Sequence, residues 1–359
     1  MTESSQSRPA LVSARRPTVT VLVTCYNYGR FLNQCVSSVL AQTGVDVSVV
    51  VVDDASSDES ACVIKAFAKH DQRVKPLLLS ENLGMVRAVN KGLHYVDSDY
   101  FVKLDADDLL SEGSLERSIA LLEQYPDVGF VYGRPRHFTG STPPRPRLGH
   151  IRWTVWPGAQ WLALRYQRAV NCISQPEAVI RTSTLRAVGG YNTQLPHTSD
   201  LEMWLRLAAV SNVGRVNGPD QGFYRVHPGS MQHTVNAGLL TDFIGRRSAF
   251  ISAIRASTGK LHGATDLEAM VRRELAAQAL DCACRAFDRD RVEIVPISEL
   301  IKFAKETYTA APTLTEWHAL QRRQRGGRRS RWAPSSLFAS MLRRSREEIA
   351  YARWIRTGV

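Results

Sequence analysis

Residues 102–110 read Val-Lys-Leu-Asp-Ala-Asp-Asp-Leu-Leu, VKLDADDLL, which sets three carboxylates in four positions directly after an apolar run. The chain has 359 residues and a formal net charge of +12, so this local negative charge runs against the overall balance. Two explanations compete. Either the acids punctuate a turn and cap the helix of 111–124, or they hold a hard cation through oxygen ligands. An Asp-x-Asp is too short to decide by itself. Its neighbours along the chain are more informative.

On both sides, apolar β-branched runs alternate with segments of helical period. Strands are predicted at 19–24, 47–52, 74–79, 100–104 and 128–132, and helices at 31–42, 58–70, 85–95 and 114–124. The run 47–52 is nearly all valine, as in a strand buried on both faces. This alternation predicts an α/β fold with a mostly parallel central sheet flanked by helices. In such sheets ligands bind beyond the carboxyl ends of the strands. Here 47–52 runs into Asp53-Asp54, and 100–104 runs into Asp105, Asp107 and Asp108. Two strand ends delivering acids to one crevice say more than either alone.

Further on, 134–150 is rich in Pro, Arg and Gly and predicts a surface loop. A helix is expected near 159–168 and a strand near 178–181, followed by a close backbone bend at Gly189-Gly190. A second acidic stretch, HTSDLEMWLRL, follows, with a helix over 201–209 that Asp200 is placed to cap. After about residue 236 the pattern is helical, clearest over 263–290, with Thr265 or Asp266 as N-cap.

Composition bounds the remaining possibilities. Apolar residues make up 44% and charged residues 22%, which is ordinary for a globular protein. No run approaches the roughly 18 apolar residues of a membrane span, and the first residues lack the apolar core of a secretory signal. Six scattered cysteines suit free thiols in a reducing cytoplasm. Cys282-Ala-Cys284 has no partner pair for zinc. Residues 321–359 hold eleven arginines against Glu347 and Glu348, so most of the positive charge lies there. Within that tail, 335–356 combines arginines with Leu337, Phe338, Met341, Ile349 and Trp354. It fits a basic amphipathic helix on an anionic bilayer, or equally a helix folded onto the body.

Seven segments in order, VTCYNYGRFLNQCVSSVLAQT, VVVDDASSDES, ENLGMVRAVNKGL, FVKLDADDLL, RTSTLRAVGGYN, SDLEMWLRL and YRVHPGS, resemble family-2 glycosyltransferases across roughly residues 17–235. The resemblance implies a GT-A fold and an inverting transfer of a sugar from a nucleotide diphosphate donor, assisted by Mn2+ or Mg2+. It implies that Thr24 and Asp54 contact the nucleotide base, that Tyr26 packs against it, and that Asp53 adjoins the same pocket. Asp105 would face the donor ribose or metal waters, and Asp107 would bind the metal directly. Asp200 matches the general base, although Ser199 stands where many members carry Glu.

Beside these, Arg87 is a candidate for donor phosphate, and Arg225 for the diphosphate from a mobile loop. His227 is a candidate metal ligand or a structural histidine. Trp204 reads as packing or an acceptor-site wall, and Cys25 as packing. The expected layout is a disordered lead at 1–16, a GT-A domain at 17–235, a helical region at 236–320 and a basic amphipathic tail at 321–359. The acceptor would be a carbohydrate, a lipid-linked sugar or a small molecule, met in the cytoplasm or at the inner face of a membrane.

Two other classes fit less well. A nucleic-acid-binding protein would use the arginine tail on phosphates, but the body is nearly neutral and shows no such motif, so no nucleic acid is expected. A sugar nucleotidyltransferase would need a Gly-rich phosphate loop near the N-terminus, which is absent. A nicotinamide dehydrogenase would need Gly-x-Gly-x-x-Gly after the first strand, also absent.

Overall fold

The computed structural model describes residues 2–5, 15–230, 238–259, 261 and 263–326, with scattered positions between 345 and 358. The first half of the chain forms β1 (Thr2–Ser5), β2 (Thr18–Cys25), α1 (Gly29–Leu40), β3 (Asp46–Asp53), α2 (Ser60–His70), β4 (Val74–Leu78), α3 (Met85–Leu93) and β5 (Tyr100–Asp105). Next come β6 (Leu109–Leu110), α4 (Ser114–Gln124), β7 (Val128–Phe138), β8 (Arg152–Trp156), α5 (Gly158–Arg168), β9 (Val179–Arg181), α6 (Thr182–Val188), α7 (Ser199–Ala208) and β10 (Asn212–Arg225). Four helices follow: α8 (Leu239–Ala256), α9 (Ala264–Asp288), α10 (Ile297–Thr307) and α11 (Thr315–Gly326).

β2 reads TVTVLVTC and lies between two other strands, so its side chains must find apolar cover on both faces. Val19, Val21 and Val23 pack with Leu32, Cys35, Val36 and Val39, the i, i+3, i+4, i+7 stripe of α1. Leu22, on the opposite face, meets α3. Gly92 makes that approach possible: a Cβ there would lie 2.2 Å from Leu22 Cδ1 and 2.9 Å from Val52 Cγ2.

The sheet runs β1-β8-β10-β7-β9-β5-β2-β3-β4, with β6 pairing β10. β5, β2, β3 and β4 pair in parallel, as predicted. The other half is mixed. β9 lies antiparallel between β5 and β7, so β7 points the same way as β5, and β10 pairs parallel to β7. The carboxyl ends of β2, β3, β5, β7 and β10 therefore share one edge of the sheet. The residues gathered there are Cys25, Asp53, Asp105, Phe138 and Arg225.

Several expectations need correction. Residues 134–138, read as loop, continue β7, and neither β8 nor the 14-residue β10 was foreseen. Thr2–Ser5, within the supposed disordered lead, pair with β8. α4 is preceded by Gly113 in the left-handed region at φ +68°, so neither Asp107 nor Asp108 caps it. Thr198 is the N-cap of α7, which puts Asp200 in the first turn, and Gly263 rather than Thr265 or Asp266 caps α9.

The chain divides into two compact units, one of residues 1–162, 171–230 and 358, the other of 163–170, 231–357 and 359. The first division falls near the predicted 235/236 boundary. The predicted 320/321 boundary does not hold, because α11 runs through to Gly326 and Arg323 on it pairs with Asp288 of α9 at 2.8 Å. The proposed amphipathic helix over 335–356 lies outside the described residues apart from isolated positions. No helix among the described residues is long and apolar enough to cross a membrane.

Candidate active site

The Asp-x-Asp turn begins where β5 ends. Lys103 and Asp105 are two residues apart on a strand, hence on one face, and the buried Lys103 Nζ reaches Asp105 Oδ1 at 2.6 Å. Thr24, directly across the ladder in β2, donates its hydroxyl to the same oxygen at 3.0 Å. Asp107 follows with a nearly buried side chain, and its Oδ2 lies 3.0 Å from His227 Nε2. The imidazole is held by the rings of Tyr28 and Phe31, with centroids 5.5 and 5.2 Å away. Tyr28 Oη in turn donates to the Gly229 carbonyl at 3.0 Å. The histidine is therefore fixed by its surroundings.

This pair fits a divalent cation. Octahedral bonds of about 2.1 Å place adjacent ligand atoms about 3 Å apart, the separation found here. Burial, then the charge of Asp105, pushes the Asp107 carboxyl up, while His227 opposes the shift. A cation beside that oxygen would be favourable. Among the described residues no three His, Cys, Asp or Glu side chains converge on a metal position. Two protein ligands completed by phosphates and water are what Mg2+ and Mn2+ ordinarily accept.

Asp108 and Arg225 are structural partners. Asp108 Oδ1 accepts the Arg225 backbone N–H at 2.8 Å, and Arg225 Nε donates to the Asp107 carbonyl at 2.8 Å. The guanidinium also donates to Gln34 Oε1 at 2.7 Å and to the Gly140 carbonyl. It lies 4.7 Å from the Phe31 ring centroid and 4.5 Å from that of Phe138. Arg225 was expected on a mobile loop facing the diphosphate. It is instead the buried last residue of β10, and it ties that strand to the Asp-x-Asp turn.

At the end of β3, both Asp54 oxygens are engaged by the turn before α3, from Leu83 N–H at 2.8 Å and Gly84 N–H at 2.9 Å. Its neighbour differs. Asp53 is buried, and its Oδ1 has no partner among the described residues. Tyr26, just past β2, is 49% exposed and can present its ring to a base. Arg87 is an exposed residue of α3, and no hydrogen bond or ion pair connects it to the acids. Cys25 is buried with Sγ 3.3 Å from Ser60 Oγ, and burial pushes its thiol up to about 11, so it packs rather than reacts.

Asp200 occupies the second helical position of α7. Asn171 donates to its Oδ2 at 2.8 Å. Burial pushes the carboxyl above the usual range, while the Leu201 amide, the Lys103 ammonium and Asn171 pull it back. Lys103 thus acts on Asp105 by contact and on Asp200 through its field. Tyr224 on β10 records the whole gathering: its phenol is pushed up by burial and then by Asp108, Asp105, Asp107 and Asp200. Asp107 and Asp200 therefore share one region. Glu202 pairs with Arg206 at 2.8 Å, and Trp204 is fully buried, stacked on Phe130 at 5.7 Å, so it is no acceptor-site wall.

Lys103 and Asn171 were missed in the sequence. Lys103 had a signal, a lysine inside an apolar strand two residues before an aspartate. Asn171 had none, because its partner lies 29 residues away with β9 and α6 between them.

Parallel strands ending in acids at one edge, with a helix-borne Asp brought to the same region, define a GT-A class transferase fold. Residues 20–188 of this chain, just under half of it, match the family model of glycosyl transferase family 2. A curated relative is the poly-beta-1,6-N-acetyl-D-glucosamine synthase of Staphylococcus epidermidis, 29% identical over 181 residues. That match covers 49% of this chain and 42% of the relative, and two other relatives are covered only to 33% of their length. Among solved structures, S. aureus TarS in complex with UDP-GlcNAc superposes with a TM-score of 0.60 at 13% identity, covering 86% of this chain and 92% of that one. The mannosyltransferase PcManGT from Pyrobaculum calidifontis, in complex with GDP-Man and Mn2+, gives 0.51 at 19% identity, with 90% of each chain covered. At such identities the likeness is one of fold.

Proposed function

We propose that this chain is an inverting glycosyltransferase that moves a sugar from a nucleoside diphosphate donor to an acceptor hydroxyl, with Asp200 as general base. The observation that carries the proposal is the Asp107–His227 pair at 3.0 Å, on the strand-end edge that also holds Asp53 and Asp105. The relative that makes poly-N-acetylglucosamine favours a role in surface polysaccharide or a similar glycoconjugate. The free cysteines favour a cytoplasmic enzyme, and the sequence of the tail favours contact with an anionic membrane.

Each side chain has a task in this scheme. Tyr26 stacks on the base, and Asp53 adjoins the same pocket. Thr24 and Lys103 fix the Asp105 carboxylate toward the ribose. Asp107 and His227 would hold Mn2+ or Mg2+, which would supply positive charge beside the donor diphosphate. Asp200 Oδ1, engaged by no other side chain among the described residues, takes the acceptor proton as the hydroxyl attacks the anomeric carbon. A single displacement inverts the anomeric configuration. Holding donor and acceptor in line contributes much of the rate.

The test is a thermal-shift and diphosphate-release screen of nucleotide sugars, beginning with UDP-GlcNAc and GDP-mannose, with and without Mn2+. A true donor raises the melting temperature only with the cation. Asp107→Ala should abolish that stabilisation. Asp200→Asn should keep it and lose about 10²–10⁴-fold in transfer. Full transfer by Asp200→Asn defeats the assignment of the base.

A further inference from the structure

We propose that Asn171 is a positioning residue for the Asp200 carboxylate, filling the supporting role left open where Ser199 stands in place of an acid. The proposal rests on Asp200 being the base. Asn171 Nδ2 donates to Asp200 Oδ2 at 2.8 Å, while Asn171 Oδ1 accepts the Ile173 backbone N–H at 3.2 Å. The second contact settles which end of the amide faces the carboxylate, since a backbone N–H needs the carbonyl oxygen. The NH2 group is thereby aimed at Asp200.

The segment carrying Asn171 has no regular structure, yet it is fixed. Ile173 is buried, and Ser174 N–H donates to Glu177 Oε1 at 2.6 Å, closing a capping box around the short 3-10 turn Gln175–Glu177. Helix α7 is fixed as well. Arg206 donates to the Val188 carbonyl at 2.6 Å and the Gly190 carbonyl at 2.7 Å. Both partners therefore sit on rigid supports, which is what a short charge-assisted hydrogen bond requires to orient a base.

Two consequences follow for the carboxylate. With Oδ2 tied to the amide, Oδ1 is the oxygen presented to an incoming hydroxyl. A donor on Oδ2 also favours the ionised form, which a half-buried base needs. The other charged or titratable groups around Asp200 are Lys103 from β5, His197 ahead of α7, Glu177 of the 3-10 turn, Tyr191 and Tyr224. Lys103 and His197 assist ionisation and Glu177 opposes it, so the amide acts within an otherwise mixed field.

The decisive measurement is the titration of Asp200 itself in the full chain labelled with [13Cγ]-aspartate, its resonance assigned by loss in Asp200→Asn. Asn171→Asp keeps the shape and replaces the donor by an acceptor; Asn171→Ala removes it. The midpoint should move up by about one pH unit or more in Asn171→Asp, and by less in Asn171→Ala. A purely packing role for Asn171 would lower thermal stability and leave the midpoint where it is. An unmoved midpoint in either folded variant overturns the proposal, and the two variants together guard against misfolding of one. The base assignment is judged separately, by release of diphosphate from UDP-GlcNAc and GDP-mannose in Asp200→Asn. An unmoved midpoint with an inactive Asp200→Asn removes Asn171 alone. An active Asp200→Asn removes the base reading and the positioning role with it.

Discussion

Lys103 lies on β5 with its ammonium 2.6 Å from Asp105 Oδ1 and its field on Asp200, so one buried cation serves two carboxylates of different function. Replacing it by methionine keeps the apolar stem and removes the charge. Lys103→Met should cost at least about tenfold in transfer and move the acid limb of kcat/KM upward, because Asp200 then lacks an ally against burial. A pH-rate profile checks this, and an unmoved limb would refute it. The cation pair has its own pH signature. Asp107 is pushed up by burial first and then by Asp105, and a metal needs the deprotonated carboxylate and the neutral imidazole. Mn2+ affinity in the presence of UDP should therefore fall as pH drops, and start falling above the range of an ordinary carboxylate. Calorimetry across pH tests it, and a flat profile would count against Asp107 and His227 as ligands. Lys103 was missed although the sequence carried its signal, since i, i+2 spacing on a strand places it beside Asp105. The task of Arg225 left no such signal, since a guanidinium between Phe31 and Phe138 joins residues about 90 and 190 positions apart in the chain.

At the scale of elements, one side chain starts two helices. Asp58 accepts the Gly29 N–H at the head of α1 at 3.0 Å and the Ser60 N–H at the head of α2 at 2.9 Å. Burial opposes its ionisation, but the hydrogen bonds from Ser60 and Gly29 prevail and hold the carboxyl below its usual range. Its stabilising effect is therefore complete above the unfolded carboxylate range and is lost as pH falls through the folded value. Asp58→Ala should cost about 1–2 kcal/mol in chemical denaturation at pH 7, with a smaller difference in acid. A second clamp fixes α7. Arg206 and Glu202 are both buried, and Arg206 also holds the carbonyls of the Gly189-Gly190 bend. Arg206→Ala should cost about 3–5 kcal/mol, because Glu202 is left as a buried charge without its partner. A loss below about 1 kcal/mol by denaturant titration would show that the clamp is dispensable. The bend itself was readable from two glycines in sequence. Its clamp was not, because hydrogen bonds to main-chain carbonyls leave no pattern in residue type.

At the scale of the whole molecule, the chain holds two cores. One is built on the valines of β2 and β3. The other is built on Phe243 and Phe250 of α8, Val271, Leu275 and Ala279 of α9, and Leu300 and Phe303 of α10. Trp153, Trp156, Trp161 and Trp204 belong to the first unit, and the other three of the seven tryptophans, Trp317, Trp332 and Trp354, to the second. Replacing Trp317, Trp332 and Trp354 by phenylalanine confines the fluorescence to the first unit, and denaturant unfolding of that variant followed by tryptophan fluorescence and by far-ultraviolet ellipticity should give transitions that do not coincide. Superimposable curves would mean the two cores unfold as one.

The sequence by itself determined the parallel half of the sheet, its covering helices and the acids at its strand ends. Those features depend on local periodicity and on strand ends lying close in sequence. It did not reveal β8 or β10, where arginines, glycines and a proline interrupt the alternation that marks a strand, as in NVGRVNGPDQGFYR. Only the tertiary structure decided that β10 pairs parallel to β7 and so carries His227 to Asp107, 120 residues earlier in the chain. Only the tertiary structure, likewise, aimed Asn171 at Asp200. Pairing across such separations is settled by which buried polar groups find partners, and that cannot be read until the chain has folded.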